Sequence, residues 1–280
     1  MAYTIEDLKY LMARLRHPEK GCPWDLKQTY RSIVPHTLEE AHEVADTIER
    51  EDFAHLRDEL GDLLFQVIFY SQLATEEERF GFDEVVDGAV RKLLRRHPHV
   101  FPDGTLESEV PEGTRPEELE IKANWERIKA EERAEKGEQS PDAVSVMDDV
   151  AATLPSLARA EKLQRRASTV GFDWPELEPV LDKLHEEIEE LQEAAETPQA
   201  ERRQDRVEDE LGDLLFVCVN LARFLKVNPD QALRRANRKF EDRFRLMEQA
   251  LQEKGESFAG RSLDGLEELW QAAKRSQKRG

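Results

Sequence analysis

The eight residues Asp58, Glu59, Leu60, Gly61, Asp62, Leu63, Leu64 and Phe65 recur without a change as Asp209 to Phe216. Each copy follows a Glu-Glu-x-x-Glu segment. Glu39, Glu40 and Glu43 lead to Glu59 and Asp62, and Glu186, Glu187 and Glu190 lead to Glu210 and Asp213. Residues three apart on a helix lie one turn apart on the same stripe, so each pair (Glu40 with Glu43, Glu59 with Asp62, Glu187 with Glu190, Glu210 with Asp213) points one way. Past Asp62 the residues Leu63, Leu64, Phe65, Val67, Ile68, Phe69 and Tyr70 are apolar almost all round, which predicts a helix covered on several sides with acids at its edge.

Four carboxylates gathered at an apolar edge repel one another and lose hydration, and a hard divalent cation is the simplest compensation. Carboxylate oxygens suit Mg²⁺, with Mn²⁺ as a substitute, and Mg²⁺ keeps positions open for water and phosphate oxygens. Gly61 and Gly212 cost about 1 kcal/mol each relative to alanine inside a helix. Such a glycine predicts the close approach of another helix. Charged residues make up 36% of the chain, so one Glu-Glu-x-x-Glu would be read as a solvated helix face. Two copies, each followed by the same octapeptide, argue for chemistry.

The duplication runs further. Glu40 to Glu187, Lys92 to Lys239 and Arg96 to Arg243 share one constant separation, and Trp24 with Trp174 and Trp125 with Trp270 fall within a few residues of it. Each of the latter tryptophans has a lysine one turn on, Lys129 and Lys274. One module is present twice. The Glu-Lys-Gly-Glu-Gln-Ser-Pro run from 135 to 141 reads as a linker, which divides the chain into modules 1–138 and 139–280. Alternating strand patterns are scarce, and the fold class is all-α. Helices are expected over 4–16, 37–50, 53–79, 82–96 and 116–135, then 149–168, 176–195, 200–225, 229–253 and 264–277. Thr37 with Glu40 reads as a capping box opening the first acidic helix, and Asn228-Pro229 opens the helix that carries Lys239.

A net charge of -20 gives no basic surface for nucleic acid or anionic membrane. No run of about 20 apolar residues is present, and Glu6 and Asp7 stand where a signal peptide needs basic then apolar residues. Cys22 and Cys218 occupy non-equivalent places in the two repeats, so neither a disulfide framework nor a thiolate metal site is expected. The expectation is a soluble, cytoplasmic protein.

With acids, duplication and cations in view, the chain closely resembles the MazG family of nucleoside triphosphate pyrophosphohydrolases over nearly its full length. The resemblance rests on Gly-Cys-Pro-Trp-Asp (Gly21 to Asp25), Thr-Leu-Glu-Glu (Thr37 to Glu40) and Arg-Arg-His-Pro-His-Val-Phe (Arg95 to Phe101) in the first module. In the second it rests on Val-Gly-Phe-Asp-Trp (Val170 to Trp174) and Ala-Asn-Arg-Lys-Phe (Ala236 to Phe240). It implies helical modules that dimerise into bundles, Mg²⁺ on the paired acids, and hydrolysis of (d)NTPs between the α and β phosphates to (d)NMP and pyrophosphate. Carried over by position, Glu187, Glu190, Glu210 and Asp213 would hold metal, with Glu40, Glu43, Glu59 and Asp62 as a second set. Lys183, Arg206, Asn237, Lys239, Arg243 and Trp270 would surround the nucleotide, and catalysis would fall to Glu186, Glu187, Lys239 and Arg243. Water polarised by the metal and a glutamate would attack the α-phosphorus.

Lys239 and Arg243 are four apart on one helix face, and Arg adds a bidentate fork for phosphate. Trp270 is open to two readings, stacking on a base or plain packing. Val90 and His55 stand where Asn237 and Arg206 stand in the second module, so the second module is the expected catalytic one. No Gly-x-x-x-x-Gly-Lys-Ser/Thr occurs, which argues against a P-loop nucleotidase. Two other classes compete. A carboxylate di-iron protein needs two Glu-x-x-His pairs, and only Glu39 with His42 is present. A non-enzymatic helical partner-binding protein would keep the acids for metal-stabilised folding alone.

Overall fold

The computed structural model describes residues 2–277 except 111–112, 114–115, 119, 122–123, 126, 129–130, 133–144, 149 and 197–202. Among these residues the regular elements are helices, with no strand. The chain divides into two compact units, Met1–Pro141 and Asp142–Gly280. The linker expected at 135–141 and the division at 138/139 lie outside the described residues, as does Lys129.

The first unit contains α1 (Ile5–Leu15), a short 3-10 turn (Asp25–Lys27), α2 (Tyr30–Glu49), α3 (Phe53–Glu76) and α4 (Phe82–Arg96). Described residues between 118 and 132 are helical as well. In the second unit α5 (Ser156–Ser168), α6 (Leu177–Glu196), α7 (Arg203–Phe224), α8 (Pro229–Gln252) and α9 (Leu263–Gln277) repeat that order. In each unit the two acid-bearing helices, α2 with α3 and α6 with α7, pack along one another.

Most boundaries follow local chemistry. Thr4 accepts from Asp7 N–H and opens α1, and Asn228 accepts from Gln231 N–H at 2.8 Å ahead of Pro229 and opens α8. The α3 and α7 ends match: Glu78 (φ 54°) and Lys226 (φ 58°) take the left-handed conformation two residues past the helix. That conformation turns Arg79 N–H onto Ala74 O at 2.9 Å and Val227 N–H onto Ala222 O at 2.8 Å.

Two expected starts are corrected. The helix expected from Thr37 begins at Tyr30, capped by Thr29 and Ser32, which exchange backbone and hydroxyl hydrogen bonds at 2.9 and 3.3 Å. Pro35, the sixth residue of α2, withdraws one donor from the helical ladder, yet the helix runs on to Glu49. Thr37 is therefore internal, its hydroxyl donating to Ile33 O at 3.2 Å and lying 2.9 Å from Tyr70 Oη. The helix expected from 149 starts instead at Ser156, because Pro155 is extended (φ -50°, ψ 141°).

The first unit's core gathers Met12, Ile33, Ile68, Phe69 and Leu73 from α1, α2 and α3, with Leu8, Tyr30, Phe65, Tyr70 and Phe82 around it. The α3 helix is not covered all round within the chain: Leu60, Leu64 and Val67 are 49%, 38% and 37% exposed. Nor does another helix approach the glycines, since a Cβ at Gly61 or Gly212 would meet nothing within 4 Å. Gly21 is different. A Cβ there would sit 2.4 Å from Leu15 O, because the Gly-Cys-Pro-Trp-Asp loop folds back on the α1 end, with Cys22 N–H on Leu15 O at 2.7 Å.

Candidate active site

Three carboxylates converge in each unit. Glu40 and Glu43 from α2 meet Glu59 from α3, and Glu187 and Glu190 from α6 meet Glu210 from α7. In each trio one oxygen per residue lies within 4.8 Å of the others. Asp62 and Asp213 lie a turn further along α3 and α7 and stand outside these trios. Asp62 still acts on its neighbour: burial first, then the charges of Asp62 and Glu43, raise the Glu40 carboxyl above the ordinary range.

The second unit's trio is more deeply set. Glu187 is only 4% exposed. Its Oε1 takes an ion pair from Lys183 Nζ at 2.8 Å, and Lys183 reaches Glu186 at 2.9 Å. Those two bonds, to Glu187 first, raise the Lys183 ammonium far above its ordinary value. Glu187 Oε2 is buried without a partner. Burial, then Glu187, Glu210 and Glu186 raise Glu190, against the opposing pull of Lys183. A crowded carboxylate trio with one buried, unpaired oxygen suits a hard divalent cation. In the first unit His36 stands where Lys183 does, 3.6 Å from Glu39.

Beside the second trio lies a cavity of about 660 Å³ lined by Lys183, Glu187 and Asp213, by Phe172, Trp174, Phe216 and Val217, and by Gln164, Asn220 and Arg223. The first unit fills the corresponding volume. Phe69, at the register of Asn220 counted from the shared octapeptide, is fully buried under the Arg16 guanidinium, 5.3 Å from its ring, whereas Asn220 lines the cavity.

The other expected nucleotide residues lie elsewhere on the second unit. Asn237 and Lys239 are exposed on α8, and Arg206 is exposed on the first turn of α7. Arg243 donates through Nε to Gln277 Oε1 at 2.9 Å and lies 5.5 Å from the Trp270 ring. Trp270 packs on Phe240 at 5.3 Å. None of these five is among the described residues lining the cavity.

Sequence reasoning missed Gln164, Asn220 and Arg223. Gln164 donates to Phe216 O at 2.8 Å, and its Oε1 is buried without a partner. Arg223 pairs with Asp173 at 2.8 Å and donates to Asn220 Oδ1 at 2.9 Å, which holds the Asp173 carboxyl below the usual range. A faint signal existed. Gln72 stands at the register of Arg223 counted from the octapeptide, so the two repeats place a neutral amide and a cation there; in the first unit Arg16 pairs instead with Glu76, at 2.7 Å.

The profile of the MazG nucleotide pyrophosphohydrolase domain matches residues 28–101 and 176–245. The chain is 49% identical over 273 residues to the nucleoside triphosphate pyrophosphohydrolase of Escherichia coli (strain K12), covering 98% of each chain. It is 39% identical over 270 residues to the nucleoside triphosphate pyrophosphohydrolase/pyrophosphatase MazG of Thermotoga maritima, covering 96% of this chain and 95% of the relative. A nucleoside triphosphate pyrophosphohydrolase of Mycobacterium tuberculosis is 36% identical over 170 residues, 60% of this chain and 46% of that one. With two copies of the acidic trio in two helical units and similarity along nearly its whole length, the chain belongs to the MazG nucleotide pyrophosphohydrolase domain family.

Proposed function

We propose that the chain is a Mg²⁺-dependent nucleoside triphosphate pyrophosphohydrolase that cuts between the α and β phosphates, with its working site in the second unit. One observation carries the choice of unit. The trio, with its buried Glu187 held by Lys183, adjoins an apolar-walled cavity there, while the first unit packs Phe69 into the corresponding space. The similarity to pyrophosphohydrolases over nearly the full length supports the reaction class.

In this reading Glu187, Glu190, Glu210 and Asp213 hold the cation, which when bound neutralises phosphate charge and lowers the pKa of water; Mn²⁺ can substitute for it. Lys183 fixes the Glu187 carboxylate and keeps Glu186 beside it. Glu186, 57% exposed in its side chain, accepts the proton of the attacking water. Lys239 and Arg243 meet the negative charge of the triphosphate as it develops on the leaving group. The nucleoside occupies the cavity, where Phe172, Trp174 and Phe216 exclude water.

The working form is a homodimer. Leu211, Leu215 and Phe216 on α7 are 45%, 51% and 42% exposed, a stripe that a second copy would cover. Cys22 and Cys218 are free thiols, which suits a reducing cytoplasm. Incubation of ribo- and deoxynucleoside triphosphates with Mg²⁺, with chromatographic identification of products, tests the reaction. Monophosphate and pyrophosphate are expected; diphosphate with orthophosphate as primary products would overturn it.

A further inference from the structure

Arg96 and Arg243 hold the same register in the two repeats, yet their partners differ in charge. Arg243 donates through Nε to the neutral amide of Gln277 at 2.9 Å. The residue at the register of Gln277, counted from the paired tryptophans Trp125 and Trp270, is Glu132. Glu132 is a carboxylate, 12% exposed in its side chain, and it takes Arg96 Nε at 3.2 Å and Arg96 Nη2 at 2.5 Å. It also takes Arg95 Nη2 at 2.5 Å.

A guanidinium clamped in two places by a carboxylate has spent the fork that a phosphate would use. Among the described residues Arg243 has no carboxylate partner, and a guanidinium held at Nε by an amide oxygen keeps its full charge and both terminal nitrogens. The Trp270 face beneath Arg243, at 5.5 Å, adds orientation without neutralising it. The Arg96–Glu132 bond accordingly raises the guanidinium and lowers the carboxyl from their ordinary values.

We propose that Gln277 is a positioning residue that aims Arg243 at an anionic ligand while leaving its charge uncompensated, and that Glu132 acts in the first unit as an internal anion occupying Arg96. This rests on the reading of Arg243 as a triphosphate-binding group.

Gln277→Glu places a carboxylate on Arg243 as in the first unit. The KM for a nucleoside triphosphate with Mg²⁺ should rise about tenfold while kcat changes by less than about threefold. In an Arg243→Ala background the same substitution should change neither. An unchanged KM in folded Gln277→Glu, beside a raised KM in Arg243→Ala, overturns the inference. An unchanged KM in Arg243→Ala points instead at the reading of the site. The mirror variant Glu132→Gln provides a second arm that needs no turnover. Phenylglyoxal labelling followed by mass spectrometry should show Arg96 reacting several-fold faster than in the natural chain and approaching Arg243. Circular dichroism checks the folding of each variant. If Gln277→Glu loses its helicity, the labelling decides, and an unchanged Arg96 rate overturns the proposal.

Discussion

Glu187 shows how a single side chain can hold a site together. One oxygen is committed to Lys183 and the other is buried and unpaired, so the carboxylate is half satisfied. Glu190→Ala or Asp213→Ala should cut turnover about 100-fold or more, since removing a metal carboxylate loses charge neutralisation and water activation together. Glu43→Ala or Asp62→Ala should keep most of it. Steady-state rates of the four variants, with circular dichroism, check this; equal losses would make both units catalytic.

The Arg223–Asp173 pair is a second test confined to side chains. Asp173 sits below its ordinary carboxyl range because Arg223 bonds its charged form. A lowered acid contributes stability above its unfolded pKa and loses it as pH falls through the folded value. Asp173→Asn should therefore destabilise the protein by about 1 kcal/mol near neutral pH, discounted for the partial exposure of the pair. That difference should shrink once the pH falls below the ordinary aspartate value of about 3.9, where the unfolded carboxyl binds a proton that the folded one resists. Urea denaturation at the two pH values gives the answer.

Among the elements, α2 is the one whose extent the sequence misstates. Thr37 and Glu40 have the spacing of a capping box, but Thr29 with Ser32 has the geometry. Thr29→Ala should cost about 1 kcal/mol, the usual loss for an N-cap. Thr37→Ala should act differently, through the lost Tyr70 contact in the core. Its thermal shift should vanish in a Tyr70→Phe background, whereas that of Thr29→Ala should persist. The α3 and α7 helices show a different tension. Their central octapeptides are identical, yet four residues past each one Phe69 is packed under Arg16 in one unit and Asn220 borders a cavity in the other. The residues that follow make the difference: Phe69 and Leu73 join Met12 in the first core, while Asn220 and Arg223 bring polar groups to the cavity wall in the second.

For the molecule as a whole, the acids should couple folding to metal. Glu40 and Glu190 are raised carboxyls, mainly through burial and then through neighbouring charge. A raised acid contributes stability below its unfolded pKa and loses it as pH rises through the folded value, so the metal-free protein is penalised near neutrality. Added Mg²⁺ should raise Tm there, and chelation should reverse the gain; at about pH 4.5, where these carboxyls bind protons, the rise should be smaller. Sedimentation tests the assembly. A homodimer is expected, and a monomer of 32.4 kDa at micromolar concentration would refute the role given to the exposed Leu211, Leu215 and Phe216 stripe.

No helix of the structure is long and apolar enough to cross a membrane among the residues described. The all-helical character, the duplication and the acidic pairs were readable from residue identity, because helical periodicity and a repeated octapeptide are one-dimensional signals. The α8 start was readable too, as Asn228-Pro229 is a local cap. What folding in three dimensions decided was which groups meet. The convergence of Glu187, Glu190 and Glu210 depends on how α6 lies along α7, and the cavity depends on side chains drawn from α5, the Val-Gly-Phe-Asp-Trp loop and α7. Gln164 and Arg223 carry no motif, since an amide or guanidinium on a helix face looks solvated until packing buries it. The open space over Gly61 and Gly212 was equally hidden, because a glycine in a sequence shows that something small is present and not what, if anything, comes near it.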